Sequence, residues 1–354
     1  MLENVSYCPV LHTRLAETKA LYQLPAASKD RMFPLLVARP WANAKQLDRT
    51  WEKIAEAIGD RRFALDLDRS KFEIPSKRPA AAQFDLLFDP AGGYRAYFDL
   101  VESIPSAVPV IQIDKMTAPE LGAQIDNVTR IDRGAILRVR YGSISNPAQL
   151  IDQLSETLPD FGVFIDVGWS NDILGREQWG SSLIERLTQI RPDTEVVVSG
   201  SSFPSSFAGI GARGEIAVQE RYLYSNLIRR HNAANIIYGD WGSTRPPSVD
   251  STPMRNIPRI DLPLTDEWVS FRQIKDSEED YEEIASRVVR DAMWRDEIKI
   301  WGTYVINSTA SGLPGAIKSP AAAAAARINI HLYKQANFGL PELIADGEEP
   351  FTDD

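Results

Sequence analysis

Short apolar runs that end in a polar or charged residue recur along this chain, and they constrain its fold more than any other feature. The clearest is Phe161-Gly-Val-Phe-Ile-Asp-Val-Gly-Trp-Ser170, in which the apolar segment reaches Asp166 and a glycine follows. Such runs are typical of parallel strands buried on both faces. The sequence predicts strands at 7–14, 32–39, 62–68, 108–114, 134–140, 161–170, 194–200 and 235–239.

Most of these runs are joined to the next by a segment with helical spacing. In 41–58, for example, Leu47, Trp51, Ile54 and Ile58 recur at intervals of three or four residues. Regular alternation of strand and helix predicts an α/β protein, a (β/α)8 TIM-barrel-like single domain. An alternative remains open, in which 268–273 is the eighth strand and 7–14 lies outside the barrel.

Beyond the eighth strand this regular alternation ends. We expect 1–240 to form the barrel, 241–307 an insertion or cap over its mouth, 308–345 the closing helix and 346–354 an acidic tail. Within the insertion the pattern predicts a hairpin at 257–273, an amphipathic helix at 278–294 and a further strand at 298–306. The stretch 70–83 is expected to be a loop, and 319–333 the last helix.

Composition narrows the class of protein. With 354 residues, 44% of them hydrophobic, the chain can bury a large core. Its formal charge of −10 makes nucleic acid an unlikely partner. The one cysteine, Cys8, excludes a disulfide framework and suits a reducing cytoplasm, where we place the protein. No run reaches the roughly 18 apolar residues that a bilayer span requires.

Charged residues at the strand ends form the candidate site. In (β/α)8 barrels, reactive groups come from the carboxyl ends of the strands and the loops that follow. Unpaired charges are costly in buried strands, so their repetition there indicates function. The predicted catalytic residues are Glu17, Asp68, Asp114, Asp166 and Asp240, and the predicted ligand-binding residues are Arg14, Arg39, Arg140 and Trp241. The sequence leaves open which of Asp66 and Asp68, and which of Arg138 and Arg140, faces inward, and whether these charges merely pair around the rim.

Several arginines beside carboxylates suit a ligand that bears phosphate or carboxylate, with a carboxylate acting as base or metal ligand. A divalent metal is therefore a candidate cofactor, without a tight motif behind it; its candidate ligands are Asp66, Asp114, Asp166 and Asp240. Other motifs are weaker. The histidines at 12, 231 and 331 lack metal-ligand spacing and favour structural roles, and no Gly-x-Ser-x-Gly elbow supports a serine hydrolase.

The N-terminal pattern resembles a known family. Tyr7-x-Pro9-x-Leu11-x-x-Arg14-x-x-Glu17-x-x-Ala20-Leu21, followed by Phe33-Pro34-Leu35, is similar to the opening of the bacteriophage beta protein family and its bacterial relatives. Asp166-Val-Gly and Tyr238-Gly-Asp240 look like later parts of the same pattern. The resemblance implies a barrel-like protein of phages, prophages and bacteria without an assigned reaction, and it gives Arg14 and Glu17 weight as site residues.

Two functions from different classes follow. The first is a barrel protein acting in phage–host interaction or phage defence, which carries out metal-assisted hydrolysis of a small phosphate-containing molecule. The second is a binding or regulatory module that docks a protein partner encoded nearby through 241–307. In the second case the helix at 278–294 should expose part of its apolar face.

Overall fold

The computed structural model describes residues 2–70, 78–114, 116–246, 257–274, 277–295 and 298–340. The strands in these residues are β1 (Tyr7–His12), β2 (Leu35–Ala38), β3 (Phe63–Leu67), β4 (Ala107–Pro109), β5 (Ala135–Arg140), β6 (Phe161–Trp169), β7 (Val196–Ser201), β8 (Arg213–Ala217), β9 (Ile236–Asp240), β10 (Arg259–Pro263) and β11 (Glu267–Arg272). The helices are α1 (Leu15–Tyr22), α2 (Ala26–Lys29), α3 (Asp48–Ile58), α4 (Pro79–Leu86), α5 (Ala91–Ser103), α6 (Ala118–Ile131), α7 (Pro147–Thr157), α8 (Glu177–Ile190), α9 (Gln219–Arg230), α10 (Tyr281–Val289), α11 (Trp301–Ala310) and α12 (Pro320–Ala336).

These elements belong to two compact units. The first unit is drawn from the segments 1–14, 32–202 and 219–241, and the second from 15–31, 203–218 and 242–354. Among the described residues, no helix combines the length and the apolar character needed to cross a membrane.

The first unit is a barrel of eight parallel strands. Its sheet has the order β4-β3-β2-β1-β9-β7-β6-β5, so strands that follow one another in this unit lie side by side. The barrel closes between β4 and β5, where Val110 and Ile136 form a parallel bridge and the Ile111 N–H donates to the Ile136 carbonyl at 2.8 Å. The (β/α)8 fold expected from the sequence is confirmed. Because β1 pairs with both β2 and β9, the alternative that placed 7–14 outside the barrel is wrong.

Alternate residues of the eight strands fill the barrel. One hydrophobic cluster takes members from every barrel strand or the residue just after it: Cys8, Val10, Leu35, Val37, Ala64, Val108, Val110, Ile136, Phe164, Val197 and Ile237. Side chains alternate between the two faces of a strand, so the residue two positions further along lies on the same face. This register decides which polar residues at the strand ends face the interior.

The second unit is built around a three-stranded antiparallel sheet with the order β10-β11-β8. β10 and β11 form the hairpin expected at 257–273, which is confirmed. Phe203, Val218 and Trp268 make a small core on this sheet. A buried ion pair joins the sheet to α12, since Arg327 Nη1 lies 2.9 Å from Asp261 Oδ2.

Two local expectations are wrong. The segment expected to be a strand at 298–306 contains the start of α11 instead. A helix is favoured there because Gly302 allows close packing on α12, where its N–H donates to Asn329 Oδ1 at 2.9 Å. The loop expected at 70–83 includes the start of α4, whose proline sits in the first turn, the position where a helix tolerates it. Residues 71–77 lie outside the described residues, as does the expected tail at 346–354.

The apolar side of α10 is covered within its own unit. Ile284, Ala285 and Val288 are fully buried, and α10 packs on α11, β10 and β11. Of the apolar side expected to be exposed in part, Ile284 and Val288 are thus buried, whereas Tyr281 and Met293 are half-buried. Partner docking through 241–307 stays a prediction without support from α10.

Candidate functional site

A polar or aromatic side chain follows the apolar interior residues on every strand of the barrel. These side chains stand two or four positions after a member of the interior cluster and gather at the carboxyl end: His12, Arg39, Asp66, Asp68, Gln112, Arg138, Arg140, Asp166, Ser199 and Trp241. Both members of each pair that the sequence left open, Asp66 with Asp68 and Arg138 with Arg140, thus share the interior face. The choice between them was unnecessary.

A buried ion cluster forms the floor of this end. Arg138 donates to Asp166 Oδ2 from Nε at 3.0 Å and from Nη2 at 2.6 Å, and to Asp66 Oδ2 from Nη1 at 2.9 Å. The other oxygen of Asp166 accepts from the Trp241 indole at 3.0 Å and from the Gly168 N–H at 2.9 Å. The single guanidinium therefore connects β3, β5 and β6, with Trp241 held against them.

The charges of this floor stabilise one another. Burial alone raises the pKa of Asp66, but the neighbouring Arg138 and Arg140 charges outweigh it and leave that pKa lowered. Burial likewise acts to lower the pKa of Arg138, and the two aspartates reverse the effect. Asp66 and Arg138 are consequently charged at neutral pH. Mutual pairing of this kind is the structural role that the sequence left open for the rim.

Arg69 extends the polar network from the floor to the rim. Its Nη2 donates to Gln112 Oε1 at 2.6 Å and its Nη1 to Asp114 Oδ2 at 3.0 Å. The Gln112 amide in turn lies 3.4 Å from Asp66 Oδ1. Asp114 is an exposed rim residue, paired with arginine.

His12 and Asp68 form a second pair that is only half satisfied. Asp68 Oδ1 accepts from the Ser70 N–H at 3.0 Å and the Ser70 hydroxyl at 2.6 Å. Asp68 Oδ2 lies 3.7 Å from His12 Nε2, which is too long for a hydrogen bond. Within the described residues, Asp68 Oδ2 and His12 Nδ1 are buried without a hydrogen-bond partner. The Ser199 hydroxyl in β7 is likewise buried without a hydrogen-bond partner among the described residues.

Arginines surround the His12 imidazole. Burial lowers the pKa of His12 well below its ordinary range, and the charges of Arg14, Arg138, Arg39 and Arg140 lower it further. Burial raises the pKa of Asp68, against the opposing effects of Ser70, Arg39 and Arg14. At neutral pH, His12 is thus an uncharged imidazole among guanidinium groups.

The guanidinium of Arg140 has N–H donors that are not used within the described residues. Its side chain is half-buried, and among the residues that the structure describes its guanidinium makes no hydrogen bond or ion pair. Of the predicted ligand-binding residues, Arg14, Arg39 and Arg140 are brought together around His12, and Trp241 lies at the floor with its ring 6.2 Å from the imidazole.

Asp240 is not part of this cluster. It lies on the opposite face of β9 from Gly239 and Trp241, where its Oδ1 accepts from the Tyr7 hydroxyl at 2.5 Å and its Oδ2 from the Tyr238 hydroxyl at 2.9 Å. Arg221 of α9 stacks on the Tyr238 ring, with its guanidinium carbon 3.6 Å from the ring centroid. Asp240 therefore belongs to a buried network between the sheet and α9.

Glu17 is buried within α1, an element of the second unit, whereas Arg14 follows β1 in the first unit. The candidate metal ligands do not assemble either. Among the described residues, no three His, Cys, Asp or Glu side chains are placed to hold a metal ion. Asp66 and Asp166 both face the Arg138 guanidinium, an environment that a cation would not favour.

Sequence reasoning gave His12 a structural role and left Arg138 as an open alternative to Arg140. Both could have been found from the period of two, since His12 follows Val10 on the same face of β1 and Arg138 follows Ile136 on β5. Gln112 has the same relation to Val110. The convergence of arginines on His12 could not be found, because it depends on the ends of β1, β2 and β5 meeting in space.

Comparison with known proteins identifies the relatives of this barrel. The family model described as Beta protein matches residues 7–337. The chain belongs to the Beta protein family. It is 28% identical over 342 residues to Protein beta of Enterobacteria phage P4, an alignment that covers 94% of this chain and 93% of the phage protein. The family model spans segments of both units.

Proposed function

We propose that the carboxyl end of the barrel binds a small anionic molecule through a phosphate or carboxylate group. The observation that carries the proposal is the half-buried Arg140 guanidinium, which lies near His12 and makes no ion pair or hydrogen bond among the described residues. Guanidinium groups bind planar or tetrahedral oxyanions through paired hydrogen bonds. The Arg140 guanidinium is therefore the primary anchor.

Charge balance supports an anionic ligand over a cationic one. Four arginine charges bear on His12, at positions 14, 39, 138 and 140. Three carboxylates share this end of the barrel, those of Asp66, Asp68 and Asp166, and two of them are occupied by Arg138. A bound anion lowers the repulsion among these guanidinium groups, whereas a metal ion raises it.

We extend the proposal to hydrolysis of a phosphate-containing molecule. The neutral His12 imidazole can accept a proton from the water that attacks phosphorus, and the arginines stabilise charge on the phosphoryl oxygens. The P–O bond to the leaving alcohol then breaks, and His12 returns the proton to the leaving oxygen. Of the acidic side chains that the sequence offered as metal ligands, Asp66, Asp114 and Asp166 are instead engaged by Arg138 or Arg69. The fourth, Asp240, accepts hydrogen bonds from Tyr7 and Tyr238. Arginine consequently takes the charge-stabilising role in this proposal.

We place this activity in the cytoplasm, in the interaction between phage and host, as attack or as defence. The support is the match to Protein beta of Enterobacteria phage P4 over nearly the whole of both chains. A phage-challenge assay in a bacterial host that expresses the protein tests this setting. We expect plating efficiency to change with the wild-type protein and to return to the control value with Arg140→Ala.

The binding step is tested by thermal shift and calorimetry with inorganic phosphate, pyrophosphate, nucleotides and sugar phosphates. A ligand at 100 times its Kd adds about 2.7 kcal/mol to the free energy of unfolding. Arg140→Ala should weaken binding by about tenfold or more, the loss expected for one charged hydrogen-bonding group. The matched control is Arg95→Ala, on α5, whose side chain is 80% exposed. An equal loss in both variants, or no stabilisation by any anion, contradicts the proposal.

A further inference from the structure

The fixed orientation of Asp68 indicates more about the ligand than its charge. Two hydrogen bonds from Ser70 hold Oδ1, so the carboxylate cannot rotate freely and Oδ2 stays directed toward His12. Asp68 is only 4% exposed and His12 only 8%. Solvent therefore has little access to the Asp68 carboxylate or to the His12 imidazole.

An unpaired buried acceptor is unfavourable, and native proteins seldom retain one without a reason. Asp68 Oδ2 lacks a hydrogen-bond partner among the described residues. The 3.7 Å between Asp68 Oδ2 and His12 Nε2 is too long for a direct hydrogen bond. It is, however, short enough for one oxygen atom to lie about 2.8 Å from both atoms.

We propose that Asp68 and His12 select a ligand with a hydroxyl group close to its anionic group, the chemistry of a polyol or sugar phosphate. The hydroxyl donates to Asp68 Oδ2 and accepts from the N–H of the neutral His12 imidazole in its Nε2-protonated form. This inference rests on the anion site proposed above and specifies which phosphate-bearing molecules occupy it.

The position of the pair agrees with such a ligand. Arg39 and Arg14 lie close enough to Asp68 and His12 for their charges to act on both side chains. The charge of Arg140, the anchor proposed above, acts on His12 as well, so a phosphate bound by Arg140 brings its neighbouring carbon atoms toward the pair. A ligand without the hydroxyl leaves the buried Asp68 Oδ2 unpaired, which is how sites reject analogues that lack a hydrogen-bonding group.

The test compares glycerol 3-phosphate with n-propyl phosphate, which have the same charge and the same three-carbon chain, by calorimetry on the full chain. We expect wild-type protein to bind glycerol 3-phosphate at least about tenfold more tightly. Asp68→Asn should remove this preference while leaving the affinity for n-propyl phosphate within about twofold. Arg140→Ala should instead weaken both ligands by a similar factor and keep the preference.

Other outcomes separate the two proposals. Binding of both phosphates with equal affinity by the wild-type protein overturns the hydroxyl preference and leaves the anion site standing, as expected if only ordered water pairs with Asp68. An equal loss of both ligands in Asp68→Asn makes Asp68 a structural residue and also overturns it. If neither phosphate binds at low ionic strength, the anion site is overturned, and the hydroxyl preference with it. The comparison of the two phosphates with the wild-type protein requires no variant, so it tests the hydroxyl preference even when a variant does not fold.

Discussion

Arg138 binds Asp166 through two hydrogen bonds to the same carboxylate oxygen, 3.0 Å from Nε and 2.6 Å from Nη2. With its third contact, to Asp66, the guanidinium links strands from different parts of the barrel. Such a cluster is favourable only as a complete set, because the two aspartates offset the desolvation of Arg138 and Arg138 offsets that of each aspartate. Substitution of one member alone is consequently expected to change the free energy of unfolding far more than substitution of all three together.

Removal of the central cation should be the most damaging single change. Arg138→Met leaves two buried carboxylates without their partner, and we expect the free energy of unfolding to fall by about 3–5 kcal/mol. Urea denaturation measures this loss. The triple variant Asp66→Asn, Arg138→Met, Asp166→Asn has no uncompensated charge and should recover most of the stability. A triple variant as unstable as the single one would show that packing, not charge, decides the effect.

His12 should make the protein less stable in mild acid. Its pKa is lowered in the folded state, mainly by burial and then by the surrounding arginines. The unfolded chain therefore binds the proton first as the pH falls below about 6.5, and stability decreases by up to about 1.4 kcal/mol per pH unit. Denaturation curves at pH 7.5 and 5.5 should show a larger decrease for the wild-type protein than for His12→Gln. The same decrease in both would contradict the neutral imidazole.

Glu220 should have the opposite pH dependence. Burial raises its pKa from an ordinary value of 4.5 to about 7, although the Ser202 N–H and hydroxyl each donate to it at 2.6 Å. The folded state retains the proton that the unfolded chain loses, so this stability is present below pH 4.5 and is lost as the pH rises to 7. The loss amounts to about 3 kcal/mol at most. Glu220→Gln should reduce the slope of the free energy of unfolding against pH between pH 4.5 and 7. A slope unchanged from that of the wild-type protein would show that Glu220 does not cause this pH dependence.

Two glycines in helices offer a matched pair. A Cβ on Gly302 would lie 2.7 Å from the Ala326 carbonyl oxygen and from Ile330 Cγ1, whereas a Cβ on Gly122 meets nothing within 4 Å. Gly302→Ala should destabilise the protein by about 1–3 kcal/mol through overpacking. Gly122→Ala should stabilise it by about 0.5–1 kcal/mol, since alanine favours the helix. Thermal unfolding of both variants gives the comparison, and shifts of the same sign would contradict the packing of α11 on α12.

The barrel was predictable because its signal is local. Each barrel strand is marked in the sequence by an apolar run, and most strand ends by a polar or charged residue. The alternation of strands and helices, and the position of the candidate site, can therefore be predicted from the sequence. The hairpin of β10 and β11 was visible for the same reason. Strand β8 was not, because its alternating exposure reflects pairing with β11, a partner more than fifty positions away in the chain.

Which face a strand end presents was harder to read. Buried parallel strands are apolar on both faces, so Asp166 and Asp240 look alike in sequence although the first points inward and the second lies among Tyr7, Tyr238 and α9. Only the register with neighbouring strands distinguishes them. The role of His12 was hidden for a related reason, since three of the four arginines that act on it, Arg39, Arg138 and Arg140, are distant along the chain.

The first strand of the barrel pairs with the last. Tyr7 and Asp240, which are joined by a hydrogen bond, lie 233 positions apart. At a synthesis rate of about 5–20 residues per second, the ribosome needs roughly 10–50 s to deliver β9 after β1 has been made. For that interval one edge of β1 has no strand to complete it. The nascent chain is thus most exposed to chaperone binding and to aggregation before its final barrel strand leaves the ribosomal exit tunnel.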